Sequence, residues 1–460
     1  MAADKMLSQV LKRITPTEKE KRGEKRLAER IIRQIKETEG RHVDVMLCGS
    51  IARDTHLRGD NDLDIFVLFP ENLGREEFEK EGLRIGKKVF RGYLWEEAFS
   101  EHPYIRGVID GFDVEIVPSY KVKSAGLLQS AVDRSPFHNA FLQKKLTAAH
   151  RKEIRLLRQF LKGISAYGAD VKSSSVPGYV AELLVLQYGG FMEALGEISK
   201  WRQGQAIDTE KHYCGGEAGK KFAGAALIVV DPVDKNRNVA AALSLNQFSR
   251  IVAAAQAFLR KPGKKFFFGK KEKPWSLKKL KKALGEKEIV GISLGYPKNA
   301  LPDVVWGQIL RLARKIEKQL LLNEFSVKRS EAWTDEKNVI VAVFEVENRK
   351  LQRTTKKTGP PVTDEKNSTA FLGAHKRLIA GPRIEEGRWV IEVPRKYTAI
   401  EKFLCDLLRK EKKVESEMLR MAMNKGCRIM QEKDLAALFR RNREFAAFFT
   451  RYLKGEEEFL

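Results

Sequence analysis

Apolar residues return every three or four positions as the chain opens: Leu7, Val10, Leu11 and Ile14 fall on one face of a helix. Pro16 interrupts. Thr15 or Thr17 can cap a second helix, which carries Leu27, Ile31, Ile32 and Ile35 and stops at Gly40. The pattern then changes. "VDVMLC" (43–48), "LDIFVLF" (63–69, closed by Pro70) and "FDVEIVP" (112–118) are rich in β-branched and aromatic residues and predict three strands. From about 149 the helical period returns. Ile154, Leu157, Leu161 and Ile164 make an apolar stripe, and Arg151, Arg155, Arg158 and Lys162 make a basic one at the same spacing. "GYVAELLVLQYGGFMEALG" (178–196) reads as a core helical stretch, since Glu182 and the glycines argue against a membrane helix. "ALIVVDP" (226–232) predicts a strand or extended segment. Ser244 and Gln247 form a capping box that opens the helix "LNQFSRIVAAAQAFL".

Composition shifts near 261. "KPGKKFFFGKKEKPWSLKKLKKALGEKE" (261–288) is dense in lysine and marks a domain boundary. The run Phe266–Phe268 inside it reads as a buried strand or core wedge. A helix over 304–322 follows. Then "NVIVAVFEVEN" (338–348) and "RWVIEVPR" (388–395) predict a strand pair, with "TKKTGPPVTDEKN" (355–367) as the loop between them. The tail 399–460 is helical and charged. No internal repeat is visible.

At 460 residues and 43% hydrophobic content the chain can bury more than one core. Lys and Arg number 86 against 61 Asp and Glu, a formal charge of +25. That excess points to an anionic partner, nucleic acid above all. Cys48, Cys214, Cys405 and Cys427 are scattered, which indicates neither a zinc site nor a disulfide framework and fits a reducing, cytoplasmic compartment. The first residues are too charged for a secretory signal, and no apolar run is long enough to span a membrane.

The chemistry concentrates in "CGSIARDTHLRGDNDLDIFVLF" (48–69). Strand alternation points Asp62 and Asp64 the same way, and Asp113 and Glu115 likewise share a face. If the two strands are neighbours, Asp62, Asp64 and either Asp113 or Glu115 converge. Unneutralised, these carboxylates repel and their pKa values rise. A divalent cation removes the conflict. Hard oxygen ligands favour Mg²⁺, which shares coordination with substrate phosphates, and two such ions act on both sides of a phosphoryl transfer. Gly49 lets backbone approach an anion, a helix start at about 51–56 aims amide groups at a triphosphate, and Ser50 adds a hydroxyl. A lone D-x-D or Gly-Ser is weak; strand, Gly-Ser, D-x-D strand and third acidic strand in this order is a far stronger signal. "GGEAGKK" (215–221) is not a P-loop, because its glycine spacing is one short and Lys221 stands where Ser or Thr belongs.

With Gly49, Ser50, Asp62 and Asp64 in place, the chain resembles the polymerase β-like nucleotidyltransferases. Longer strings narrow the resemblance to the archaeal-type (class I) CCA-adding enzymes: "SEHPYIRGVIDGFDVEIVPSYKV" (100–122), "SAVDRSPFHNAFL" (130–142), "IRLLRQFLKGISAYGAD" (154–170), "GYVAELLV" (178–185), "VVDPVDKNRNVAAALS" (229–244) and the later "KKTGPPVTDEKN" and "GRWVIEV". The resemblance implies an α+β multidomain chain: a nucleotidyltransferase catalytic head on 1–145, a helical neck on 146–262, and an α+β body with a helical, tRNA-binding tail region on 263–460. It implies Asp62, Asp64 and Glu115 as metal-binding catalytic carboxylates, with Asp113 the alternative third. Nucleotide contacts fall on Gly49, Ser50, Arg53, Ser135, His138, Arg158 and Tyr167, and Arg237 matches the arginine that helps read the incoming base. The implied reaction is template-independent addition of C, C and A to a tRNA 3′ end from CTP and ATP, with pyrophosphate released and two Mg²⁺ ions as cofactors. The tRNA is read at its acceptor stem and TΨC arm. No membrane partner is expected, and a homodimer is left open.

Each residue has a plainer reading. His138 fits a core histidine, Arg158 a solvated stripe, Arg237 a loop cap and Tyr167 packing. Rival functions are a poly(A) polymerase or other RNA terminal nucleotidyltransferase, told apart by CTP dependence, and a non-catalytic RNA-binding relative, against which the intact D-x-D speaks. A purely structural basic protein leaves the acidic strands unexplained.

Overall fold

A computed structural model describes residues 2–99, 101–168, 172–269, 273–298, 300–414, 416–457 and 459–460. It divides into two units: Met1–Lys270 with Glu457–Leu460, and Lys271–Glu456.

The first unit opens on α1 (Ala2–Ile14) and α2 (Glu18–Glu39). Thr17, not Thr15, caps α2. Its hydroxyl accepts from the Glu20 amide at 3.2 Å, and the Glu20 carboxylate accepts from the Thr17 amide at 2.6 Å, closing a capping box. Five strands follow: β1 (Asp44–Leu47), β2 (Asp62–Pro70), β3 (Trp95–Phe99), β4 (Pro103–Ile109) and β5 (Phe112–Lys121). Their order in the sheet is β1-β2-β5-β4-β3, with β2 and β5 parallel and the other pairs antiparallel. The short helix α3 (Gly49–Ala52) links β1 to β2, and α4 (Arg75–Val89) packs across β4 and β5. Strand alternation sorts the two faces. Leu63, Ile65, Val67, Val114 and Ile116 bury in one core with Leu27, Ile31 and Ile35 of α2. Asp62, Asp64, Asp113 and Glu115 fall on the other face, ahead of the small apolar group Cys48, Phe66 and Val117.

Helices then dominate: α5 (Arg134–Lys145), α6 (Ala148–Gly163), α7 (Gly178–Tyr188) and α8 (Phe191–Ile198). The strand β6 (Gln205–Ile207), helix α9 (Glu217–Lys221) and strand β7 (Leu227–Val229) lead into α10 (Leu245–Arg260). The apolar stripe of α6 is buried with Val180, Leu183, Phe191 and Phe258 in a second core. Ser244 caps α10, but Gln247 does not complete a box: its side-chain amide reaches the carbonyls of Ser165 and Ser173 instead. Phe266 and Phe267 are a core wedge, seated against Phe160 and Phe258.

The second unit contains α11 (Leu277–Gly285), β8 (Glu288–Gly295), α12 (Pro302–Leu322), β9 (Val327–Thr334), β10 (Val339–Val346), β11 (Thr354–Pro361), α13 (Glu365–Ala374), β12 (Ala380–Glu385) and β13 (Arg388–Pro394). It ends in α14 (Ile400–Val414), α15 (Glu417–Lys425), β14 (Cys427–Met430), α16 (Glu432–Arg441) and α17 (Arg443–Lys454). Two sequence expectations are corrected here. The segments 338–348 and 388–395 are not partners: β10 lies inside the sheet β14-β8-β10-β9, and β13 is the middle of the sheet β11-β13-β12. β10 is buried along nearly its whole length, so it takes a partner on each side. Nor is 355–367 a loop, for it forms β11 and the start of α13. β11 is an edge strand of threonine, lysine, glycine and proline with no large apolar side chain, so it lacks an apolar signal. Among the described residues no helix is long and apolar enough to cross a membrane.

Candidate active site

The site begins where β1 ends. The Cys48 amide donates to the Asp64 carbonyl at 2.9 Å, which sets the Gly49-Ser50 turn beside β2. Gly49 has φ +74°, and a Cβ there would stand 1.9 Å from Asp64 Oδ2. Only glycine allows the turn and the carboxylate to share this space. The parallel β2–β5 register sets Asp62 opposite Asp113 and Asp64 opposite Glu115. Four like charges therefore share one face of two adjacent strands.

Their electrostatics follow. Burial, then Glu115, then Asp62 push the Asp64 carboxyl up to about 7. Asp62 and Glu115 are raised as well, burial again the largest cause. Arg53 and Arg158 draw Asp64 down without cancelling this rise. Tyr104 donates to Glu115 Oε1 at 3.4 Å. Among the described residues no three acidic, histidine or cysteine side chains close into a metal-holding group by themselves. The donor set still suits a divalent cation. It is all carboxylate oxygen, its pKa values are raised by burial and by a mutual repulsion that a cation relieves, and Gly49 keeps the space beside Asp64 Oδ2 clear of its own side chain.

The basic stripe of α6 is not simply a solvated face. Arg151 Nε donates to the Arg53 carbonyl at 3.0 Å, Arg155 Nε to that of His56 at 2.9 Å, and Arg158 Nη1 to that of Thr55 at 2.8 Å. Lys162 Nζ meets Asp60 Oδ1 at 2.7 Å. One helix face thus grips the loop running from Gly49-Ser50 to Asp62. From α7, the wholly buried Glu182 accepts from Arg53 Nε at 3.1 Å and Nη2 at 2.9 Å, and from the Thr55 hydroxyl. Arg53 Nη1 also reaches Asn139 Oδ1 at 3.3 Å. The Arg158 guanidinium lies 5.6 Å from the centre of the Tyr167 ring, and burial raises the Tyr167 hydroxyl. A Cβ on Gly178 would press on the Arg158 guanidinium and stand 2.7 Å from the Tyr167 hydroxyl, so glycine at the start of α7 leaves these two side-chain ends their place. Arg158 Nε is buried without a hydrogen-bond partner among the described residues.

On the far side, α5 presents His138. Its Nε2 lies 2.8 and 3.0 Å from the two oxygens of Asp231, and its ring packs against Tyr179, centroids 4.2 Å apart and planes tilted by 30°. Burial lowers the His138 pKa despite Asp231, and because a carboxylate only accepts, Nε2 is the nitrogen that donates to it. Asp231 also accepts from Arg237 Nη1 at 3.1 Å. Arg134, at the start of α5, pairs with Asp234 at 3.0 Å.

These elements enclose a cleft of about 440 Å³. Of the residues singled out in the sequence, it gathers Gly49, Arg53, Asp64, Glu115, Ser135, His138 and Arg237. Asp62 faces a second groove of about 540 Å³ with Trp95, Arg106 and Asp113, and Glu115 lines both. Ser50, Arg158 and Tyr167 are not part of the cleft wall. Sequence reasoning passed over Tyr104, Tyr179, Asp231 and His102, the last wholly buried at the wall with Nε2 unpartnered among the described residues. Glu182 carried a signal, a lone charge in an apolar helix. Asp231 carried none beyond its place in "VVDPVD".

A five-stranded mixed sheet whose parallel central strands carry paired carboxylates beside a Gly-Ser turn defines a nucleotidyltransferase of the polymerase β-like fold. Family comparison agrees: residues 28–138 match the nucleotidyltransferase domain, 152–268 the second domain of tRNA nucleotidyltransferase, and 287–432 the C-terminal domain of the CCA-adding enzyme. The CCA-adding enzyme of Methanothermobacter thermautotrophicus is 34% identical over 432 residues, 92% of this chain and 91% of that protein. That of Archaeoglobus fulgidus is 35% identical over 402 residues, 87% and 88% of the two chains. The protein belongs to the CCA-adding enzyme family. Among solved structures, Cid1 poly(U) polymerase is similar at TM-score 0.47 and 14% identity, covering 57% of this chain and 98% of that one.

Proposed function

We propose that the cleft binds CTP and ATP in turn and adds C, C and A, without a template, to the 3′ end of a tRNA. One observation carries the catalytic assignment: the β2–β5 register sets Asp64 opposite Glu115 beside a glycine turn at the wall of the cleft. Asp62, Asp64 and Glu115 would hold Mg²⁺, two ions in this reading, which when bound neutralise phosphate charge and make the RNA 3′-hydroxyl a better nucleophile. Asp113, opposite Asp62, is the alternative third carboxylate.

The chain's own groups do the rest by position and charge. Gly49 and Ser50 offer backbone and hydroxyl to the triphosphate. Ser135 donates a hydrogen bond to it from α5, and His138, whose Nε2 N–H goes to Asp231, flanks it. Arg53, held by Glu182, and Arg158, held by Thr55, add positive potential behind it. Arg158 and Tyr167, which lie outside the cleft wall, act on this reading by holding the 53–60 loop. Arg237 reads the base. In this division 1–145 is the catalytic head, 146–262 the neck, and 263–460 the body and tail that take the tRNA. Recognition is by the shape and phosphates of the acceptor stem and TΨC arm, for which a net charge of +25 is suited. The cytoplasm is the matching compartment, and a homodimer is compatible with this reading.

The test is direct. The protein is incubated with tRNA lacking its 3′-terminal CCA, Mg²⁺, CTP and ATP, and the product is sequenced. A CCA end is expected. An unextended end, or a run of A that ignores CTP, overturns the reading.

A further inference from the structure

Asp231, behind His138 and Arg237 of the cleft wall, is fully buried, although it follows a three-residue strand and opens a loop. Its carboxylate has three partners. Oδ1 and Oδ2 take His138 Nε2 at 3.0 and 2.8 Å, Oδ2 takes Arg237 Nη1 at 3.1 Å, and Oδ1 takes the Val233 amide at 3.1 Å. The backbone is tied in as well: the Asp231 amide donates to the Arg237 carbonyl at 3.0 Å. One side chain thus joins α5 to the 231–237 turn and fixes two cleft groups that have little else to hold them. The Arg237 side chain is 43% exposed, with Asp231 as its one ion-pair partner among the described residues. Free, so long a side chain would sample many rotamers; tied to a buried carboxylate it presents its remaining N–H groups in one direction.

We propose that Asp231 is a positioning residue for base selection, acting through Arg237 and fixing the donor tautomer of His138. The proposal rests on the reading of the cleft as a nucleotide site. A base is chosen by donors and acceptors held at set points, and an arginine that moves accepts a wrong edge more readily than one that is fixed. Asp231→Asn keeps the shape, the Val233 bond and an acceptor for His138, but removes the charge that holds Arg237.

The experiment is a double-mutant cycle on full-length protein: wild type, Asp231→Asn, Arg237→Ala and the double variant. The readouts are kcat and KM for CTP and for UTP on tRNA lacking CCA, with thermal melts alongside. The expected result is a loss of CTP-over-UTP preference in Asp231→Asn of about 10–100-fold, the size seen when a group orienting a first-contact ligand is removed. It should lie in KM, and it should vanish in the Arg237→Ala background. An unchanged preference in Asp231→Asn, or losses that simply multiply in the double variant, overturns the proposal. If Asp231→Asn melts below the assay temperature, Asp231→Glu, which keeps the charge but displaces it by one methylene, is subject to the same two outcomes. Wild-type protein that uses neither CTP nor ATP would count against the nucleotide-cleft reading itself. Normal wild-type addition with an unmoved ratio counts against Asp231 alone.

Discussion

Asp64→Asn is expected to inactivate the enzyme and, without divalent cations, to stabilise its fold. In the folded chain the Asp64 carboxyl titrates at about 7 against a reference of 3.8, raised by burial, Glu115 and Asp62. A raised carboxyl means that the native state holds the proton more tightly than the unfolded one. The resulting penalty is absent below pH 4, grows between 4 and 7, and is complete above 7. Three pKa units correspond to a ceiling of ~4 kcal/mol, and with water and side-chain relaxation in the cleft about half of that, ~2 kcal/mol, is the working value. Asparagine removes the charge and keeps the shape. For a unit of this size about 2 kcal/mol is a rise in Tm of about 4–8 °C. The assay is a thermal melt in EDTA at pH 5 and pH 8, repeated with Mg²⁺ titrated in. Asp64→Asn should melt higher than wild type at pH 8, and the gap should narrow at pH 5. Mg²⁺ at a hundred times its Kd should stabilise wild type by about 2.7 kcal/mol and leave the variant almost unmoved. A variant that melts lower than wild type at pH 8 in EDTA, or equal Mg²⁺ stabilisation of both, would refute the reasoning.

Gly49→Ala forces a Cβ into Asp64 Oδ2 at a positive φ. Displacing a catalytic group by about 1 Å costs on the order of 100-fold in rate, so single-turnover addition should fall by about that factor with a much smaller change in thermal stability. Arg53→Ala strands the wholly buried Glu182 without its partner. Urea denaturation should show a loss of about 3–5 kcal/mol, and Arg53→Met combined with Glu182→Leu should regain much of it.

Where a local rule had one physical solution, the sequence was readable. The capped α2, the stripe of α6 and the alternation of β2 follow from periods of 3.6 and 2, which each residue reports about itself and its near neighbours. The D-x-D strand was legible from its place in the order strand, Gly-Ser, D-x-D strand, third acidic strand, a D-x-D by itself being a weak signal. β11 was not legible, because an edge strand of polar residues is specified by its partner β13 and not by its own pattern. The basic stripe of α6 was visible, but its purpose was not. Whether four cations face solvent, a phosphate or the carbonyls of residues 53–56 depends on what the fold lays against them, and here it lays the 53–60 loop.

The sequence alone determined most of the element types, though not β11, and the presence of four carboxylates on two strands, since periodicity and charge are local properties. The tertiary structure decided that β2 and β5 are parallel neighbours in a register that pairs Asp64 with Glu115, that Glu182 meets Arg53 across 129 positions, and that Asp231 holds His138 and Arg237 together. Contacts between residues distant along the chain come from burying several apolar faces at once, and no single segment carries that information.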